Sequence, residues 1–509
     1  MIPQPSRDFL ILAGDLTDEA IGDTIGHLAV GLVDPVATGS FALLDSFDQS
    51  IRGRGRVLIE TEEVLALYHD WGAITQDSRR SGSWVHNLAS GPVRDALEEL
   101  FPTRRLLSVG TGTISRRRLV LTDDEGKTQA RAELVTLRPR SKGRPVTLTS
   151  LQGLRGYHNA LQLLRERVNR AAMPSLNGIT DLVDVLFPED EPHVATPDVQ
   201  INLADTVFCA ANKFISAYLD VAHRNQTGIV ADHDTGFLND YCVALCKISS
   251  VISLFDGIYS DKQTAALKTS FSELMAPTGR LRNLDVYLFG REDYHSMLPE
   301  TLHEGLTLMF RIFAEERQRE HKTIVTWFHD ARYRASIAML EARFRRGTGL
   351  AKGPVADRPV QGYACALIWT CYRNICKMAS AITADTPDEQ VDELRILCKK
   401  LRDLMELVAP VLPMNELGLL LRPLKGLQDN LGRFNDYSVQ QVALQDFMNR
   451  RLSGSRKQDL MLAQSIGALI AVLHARQKEE RTKVMSSFSK LDSPGIRSNF
   501  RDLFHGKEI

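Results

Sequence analysis

Apolar and polar positions alternate with a period of two through much of the first 150 residues. Alternating or β-rich runs cover 41–47, 56–68, 82–88, 106–109, 114–122 and 128–137, the pattern of strands with one buried face. Asp123-Asp124-Glu125-Gly126 separates the last two runs and predicts a hairpin turn. A helical pattern at 92–100 interrupts the series. This part of the chain therefore predicts an antiparallel sheet or barrel. The period changes after Arg144-Pro145. Residues 151–172 read as a helix. Residues 174–197 read as a linker, because Pro174, Pro188, Pro192 and Pro197 surround the acidic run Glu189-Asp190-Glu191. From about residue 198 apolar positions recur at helical spacing in long segments, so the remainder is expected to be all-α.

The helical part repeats itself. A shift of 153 residues lays Cys242-Val243-Ala244-Leu245-Cys246-Lys247-Ile248 on Arg395-Ile396-Leu397-Cys398-Lys399-Lys400-Leu401. The same shift lays Gly279 on Gly432, Leu281 on Phe434 and Val286 on Val439. Separated motifs sharing one offset point to two related helical bundles in tandem.

Composition narrows the function classes. Hydrophobic residues make up 43% and charged residues 25%, an ordinary globular balance. Lys+Arg is 62 and Asp+Glu is 63, so a globally basic nucleic-acid binder is disfavoured and an anion site must come from local patterning. The opening MIPQPSRDFLILAGDLTDEA has only a short apolar run at 9–13, unlike a secretory signal. The apolar stretch 466–473 is far below the roughly 20 residues of a bilayer span. The expectation is a soluble protein of a reducing compartment. Its seven cysteines (Cys209, Cys242, Cys246, Cys365, Cys371, Cys376 and Cys398) are expected to be free thiols.

Candidate chemistry concentrates in the second repeat. Arg395, Lys399 and Arg402 stand at i, i+4 and i+7, with Lys400 adjacent, so they line one helix face. Asp392 and Glu406 share that face and could neutralise it. The face is either a solvated charge stripe or a surface for repeated phosphates, which suit Arg forks and Lys point charges. Further cation pairs are Arg373/Lys377, Arg422/Lys425, Arg332/Arg334 around Tyr333, and Arg280/Arg282 before Asp285. The first repeat carries Cys242, Cys246, Ser249 and Ser253 where the second has its charges. Small side chains there predict tight helix packing. A metal pair at Cys242/Cys246 lacks companions in the sequence, and a redox or altered-ligand role is the remaining reading. His69, His86, His158, His295, His303, His321 and His329 form no HExxH spacing, and there is no P-loop, GxSxG or CxxC. Gly110-Thr111-Gly112 reads as a loop without a phosphate fingerprint.

Four stretches carry a family resemblance: Gly279-Arg280-Leu281-Arg282-Asn283-Leu284-Asp285-Val286; Asp330-Ala331-Arg332-Tyr333-Arg334; Glu393-Leu394-Arg395-Ile396-Leu397-Cys398-Lys399-Lys400-Leu401-Arg402; and Leu424-Lys425-Gly426-Leu427-Gln428-Asp429-Asn430-Leu431-Gly432-Arg433-Phe434-Asn435-Asp436. Together, over roughly 198–450, they resemble a CHAD domain, the conserved-histidine α-helical domain that binds inorganic polyphosphate. The resemblance implies two pseudo-symmetric four-helix bundles. It also implies a polyphosphate-binding set of Lys247, Arg280, Arg282, Arg332, Arg334, Arg373, Lys377, Arg395, Lys399, Lys400, Arg402 and Lys425. The family's two histidines fall here at Asn239 and Asp392, and only Lys247 keeps its charge on the first-repeat face. The implied channel is basic on one side.

In the N-terminal part, Phe41-Ala42-Leu43-Leu44-Asp45-Ser46-Phe47-Asp48, residues 52–55, Ser115-Arg116-Arg117-Arg118, Asp124-Glu125-Gly126-Lys127 and Ala130-Arg131-Ala132-Glu133-Leu134 resemble a CYTH domain, the triphosphate tunnel fold. Active members open with an ExExK strand that holds metal and triphosphate. This chain has Ser6-Arg7-Asp8-Phe9-Leu10 there, with no glutamate pair and no Lys, which argues against catalysis because hard cations need oxygen ligands. No catalytic residue and no metal ligand is assigned, and Mg or Mn is expected only if this domain is active.

The expected architecture is α+β and multidomain: an antiparallel barrel or tunnel-like domain at 1–150, a helix and Pro-rich linker at 151–197, helical bundles at 198–345 and 346–480, and a tail at 481–509. The expected function is binding of inorganic polyphosphate through the basic helical surface. Two readings compete with it. One is an interaction scaffold for a protein partner. The other is a metal-dependent triphosphatase using Glu60, Glu62, Glu133 and Arg116 to Arg118. Neither a specific nucleic acid nor a membrane is expected as partner. The expected location is cytoplasmic, with association to polyphosphate granules.

Overall fold

Residues 7–98, 104–171, 174–188, 196–383, 385–409, 412, 414–451 and 456–505 are described by a computed structural model. They fall into two units, Met1–Ala195 and Thr196–Ile509. The first contains β1 (Arg7–Leu12), α1 (Asp18–Ile21), β2 (Thr24–Ile25), β3 (Leu28–Leu32), β4 (Ala37–Asp45), β5 (Val57–Glu60), β6 (Val64–His69), β7 (Gly72–Asp77), α2 (Pro92–Leu97), β8 (Leu107–Thr122), β9 (Thr128–Pro139), β10 (Val146–Gly153), α3 (His158–Ala171) and α4 (Asp181–Leu186). The strands form one antiparallel sheet in the order β1-β10-β9-β8-β4-β5-β6-β7, with the β2–β3 hairpin attached to the far end of β8. Among the described residues β1 and β7 do not pair with each other, so the curled sheet is an open half-barrel.

Alternation gives this sheet two apolar faces. One carries Phe41, Leu43, Val57, Ile59, Ile114, Val135, Leu137, Val146 and Leu148, and is covered by Leu182, Val183 and Leu186 of α4 with Phe187. The other carries Leu119, Leu121, Ala132, Leu134 and Leu151 against Leu161, Leu164 and Val168 of α3. A third cluster packs α2 on β5 and β6. The segment expected as a linker thus supplies α4 as a lid over one face. Residues 189–195, which hold its acidic run, lie outside the described residues.

Local chemistry explains where the strand reading holds and where it departs. Asp123 accepts the backbone N–H groups of Glu125 (3.1 Å) and Lys127 (2.9 Å), and Gly126 takes φ +78°, so the predicted turn joins β8 to β9. The run 56–68 divides at Thr61, whose hydroxyl caps Val64, into β5 and β6. Gly110-Thr111-Gly112 is strand rather than loop. A Cβ at Gly110 would stand 2.3 Å from the Phe187 ring, and one at Gly112 would stand 2.1 Å from the Arg138 carbonyl oxygen. These glycines admit close approach inside β8. The run 82–88 is not a strand: Asn87 accepts Trp84 N–H at 3.2 Å and closes a helical turn at 85–87.

The second unit is helical: α5 (Val207–Val230), α6 (Thr235–Leu254), α7 (Asp261–Met275), α8 (Thr278–Phe289), α9 (Arg291–Ser296), α10 (His303–His329), α11 (Ala331–Arg346), α12 (Val360–Ser380), α13 (Asp388–Leu407), α14 (Met414–Arg451), α15 (Arg456–Leu491) and α16 (Pro494–Phe504). The starts of α5, α6, α7 and α10 fall, under the 153-residue shift, on the starts of α12, α13, α14 and α15. The repeat is therefore structural. Equivalent helices face each other, α6 against α13 and α10 against α15, and Tyr287 donates to the carbonyl of its own counterpart, Gln440, at 3.3 Å. A shared core joins Leu284, Phe310 and Phe313 of the first repeat to Leu444, Ile466 and Leu473 of the second.

The residues from 481, expected as a tail, pack into the helical unit. Val484 and Leu491 of α15 are buried, and Phe500 of α16 stacks on Tyr372 with ring centroids 3.9 Å apart. By length and composition α6 and residues 457–491 are apolar enough to cross a membrane. Their apolar residues Tyr241, Leu245, Ile248, Ile466 and Leu469 are buried within the bundle, as in core helices.

Candidate anion-binding seam

The line where α6 meets α13 collects the largest share of the predicted site residues. Lys247 of α6 donates to Asp403 of α13 at 2.6 Å and also to Glu406. Burial alone would lower its pKa, but the two carboxylates outweigh that and hold the ammonium above its ordinary range. Glu406 is held below its ordinary value, as Lys247 and Arg402 overcome the effect of burial. Arg402 pairs with Glu406 at 2.6 Å, and Arg395 pairs with Asp392 at 2.6 Å. Lys399 lies between them, exposed.

Arg282 reaches the same seam from α8 and donates to Asn239 of α6 at 3.2 Å. The surrounding protein raises the Asp436 carboxyl above its ordinary value, while Arg395 and Arg282 oppose the rise. One cation from each repeat therefore bears on Asp436 through space. The two positions where the resemblance places histidines, Asn239 and Asp392, hold these same two arginines.

The other predicted cations are dispersed. Arg280 pairs with Glu316 of α10 at 2.7 Å. Arg334 donates to the His329 carbonyl at 2.7 Å, and Arg332 is exposed beside it at the start of α11. Arg373 and Lys377 are exposed on α12, and Lys425, like Arg422, is exposed on α14. Lys400 is half-buried, close enough to Cys371 to bear on its thiol. The basic stripe read from the sequence is thus one seam of paired charges plus separate exposed cations.

All seven cysteines are free thiols. Cys242 is buried and donates to Thr278 at 3.3 Å, which fits helix packing. Among the described residues no group of three or more His, Cys, Asp or Glu is placed to hold a metal ion.

Of the residues of the triphosphatase reading, Glu62 and Glu133 both stand near Arg116, and Glu60, Arg117 and Arg118 are engaged elsewhere. Glu60 pairs with Arg80 at 2.8 Å. Glu133 pairs with Arg116 at 3.7 Å across β8 and β9. Arg117 points to the other face of the sheet, onto Asp18 and the Leu16 carbonyl, and Arg118 pairs with Asp34 at 3.4 Å. Glu62 lines a small cleft of about 270 Å³ with Glu63, Thr38 and Arg116.

Asp403 and Asp436 are the seam residues that sequence reasoning missed. The repeat carried the signal: their first-repeat counterparts are Ser250 and Asn283, so both acids appear where the duplication is asymmetric. Exposed apolar side chains also occur in counterpart pairs, Val243 and Ile396 on α6 and α13, and Val286 with Val439 and Phe289 with Val442 on α8 and α14, each between 37% and 60% exposed.

The C-terminal unit is accordingly a tandem-repeat helical domain with a charged seam between its repeats. Residues 213–445 match the CHAD domain family, so a CHAD domain is present in this unit. Among solved structures the chain is similar to the CHAD domain from the plant Ricinus communis, at 19% identity and a TM-score of 0.48, over 58% of this chain and 97% of that one. It is also similar to PptA from Streptomyces chartreusis, at 16% identity and a TM-score of 0.41, over 56% of this chain and 98% of that one. No curated protein sequence matches the chain.

Proposed function

We propose that the C-terminal unit binds inorganic polyphosphate along the α6–α13 seam, without catalysis, and that the N-terminal unit is a CYTH-like domain that has lost turnover. The observation that carries this reading is that Arg282 and Arg395, one from each repeat, are held at the equivalent positions Asn239 and Asp392 of the facing helices α6 and α13, with Lys399 exposed one turn on. The presence of a CHAD domain supports it at the level of the family. Both faces of the N-terminal sheet are filled by apolar cores, which supports the loss of a triphosphate tunnel. The test is a titration of the full chain with long-chain polyphosphate at low salt. Arg395→Ala/Lys399→Ala/Arg402→Ala is expected to weaken binding by tenfold or more. Unchanged affinity in this variant would remove the seam as the site.

A second reading has its own observation. The exposed counterpart pairs Val243/Ile396, Val286/Val439 and Phe289/Val442 form the kind of apolar surface that marks protein contact. In that reading the domain is a scaffold, and Val286→Asp/Val439→Asp would abolish co-purification of a partner while leaving polyphosphate titration unaltered.

A further inference from the structure

The asymmetry between the repeats bears on what the seam selects, and this inference rests on the polyphosphate reading above. The four acids described at the seam all belong to the second repeat. The counterparts of Asp392, Asp403, Glu406 and Asp436 are Asn239, Ser250, Ser253 and Asn283. The cations Arg395, Lys399 and Arg402 likewise face back to neutral Cys242, Cys246 and Ser249. Arg395, Lys399, Arg402 and these four acids thus occur together in the second repeat, while the first brings only Lys247 and Arg282 to the seam. Two of these acids sit directly on cations that would meet a ligand, Asp392 on Arg395 and Glu406 on Arg402, each at 2.6 Å, and Asp436 is near enough to Arg395 and Arg282 for both to favour its charged form. Asp403 differs, since it is buried and pairs with Lys247, a cation that Glu406 shares.

We propose that Asp392, Glu406 and Asp436 are specificity-determining residues that act as tethered counter-anions, reserving the seam for polyanions long enough to engage several of its cations at once.

The physics is competition. Asp392 and Glu406 are fixed about one helical turn from their cations and Asp436 is held on the neighbouring α14, so each competes at high effective concentration with a ligand from solution. Partly exposed pairs contribute little to stability, which leaves them open to displacement. A single phosphate can replace only one of them and also meets the repulsion of the others. A chain that touches Arg282, Arg395, Lys399 and Arg402 displaces them in sequence, and its release of counterions grows with each contact. Arg395 to Arg402 alone spans about 10 Å of helix, beyond the reach of one phosphate group.

The experiment is calorimetric titration of the full chain with orthophosphate, tripolyphosphate and long-chain polyphosphate at low salt. It compares wild type with Asp392→Asn/Glu406→Gln/Asp436→Asn, and with the single Asp392→Asn should the triple variant fold poorly. Asp446→Asn, on the exposed surface of α14, controls for net charge. Wild type is expected to bind the long chain and to ignore orthophosphate and tripolyphosphate. The triple variant is expected to gain three- to tenfold for the long chain and to acquire measurable tripolyphosphate binding, with the single variant gaining about twofold. The control should stay within experimental error of wild type. If wild type binds the long chain and the acid variants bind nothing more tightly, or if tripolyphosphate already binds wild type as well as the long chain does, the role of the acids is overturned. If neither wild type nor variant binds long chains at low salt, the underlying polyphosphate reading fails.

Discussion

Lys247 illustrates how a residue can carry the expected charge and still do other work. Its ammonium ties α6 to two carboxylates of α13, so it joins the repeats before it can meet a ligand. Lys247→Met leaves Asp403 buried without its cation, which should cost about 3 kcal/mol of stability. The pH dependence has a definite sign. Glu406 is held below its ordinary value, so the stability it contributes is complete above pH 4.5 and is lost as pH falls through its lowered pKa. Lys247 is held above its ordinary value, so its contribution is complete below pH 10.5 and disappears only above that. Denaturant unfolding from pH 3 to 7 should therefore show a shallower acid loss in Lys247→Met than in wild type. Equal slopes would mean that the pair does not bind the repeats together. The sequence reveals Lys247 as a retained cation, but its two acids lie more than 150 positions away, beyond any local pattern.

At the scale of elements, much of the fold is legible because period and punctuation agree. The hairpin at Asp123 to Gly126, the strands around it and the change to helix from about residue 198 follow from alternation, turn residues and spacing. Departures arise where a distant segment decides. Gly112 looks like loop chemistry, yet it is glycine because the Arg138 carbonyl lies where a Cβ would go. Gly112→Ala should lower stability by about 1–3 kcal/mol through forced backbone displacement, measured as a reduced denaturation midpoint. A loop would tolerate the change. The C-terminal segment makes the same point: its charged residues suggest a tail, but Phe500, Leu503 and Phe504 are buried. A chain ending at residue 480 should lose cooperative unfolding of the helical unit by calorimetry, whereas removal of a true tail would leave it intact.

For the whole molecule, the duplication is the most informative feature, and it is readable from a single offset. It predicts that equivalent helices share a seam, and departures from the duplication locate what this chain has made of it. Most of the seam's charges of both signs lie on the second repeat, with Lys247 and Arg282 added from the first, while exposed apolar residues remain on both. The net charge of −1 means that no general basic field assists an anion, so affinity must come from the seam itself. The most direct test is the salt dependence of long-chain polyphosphate binding to the full chain. The account predicts binding at low salt that falls steeply toward physiological salt, with a log–log slope of about 2–4, as expected for a few phosphate contacts. Absence of binding at low salt, or an affinity indifferent to salt, would contradict it.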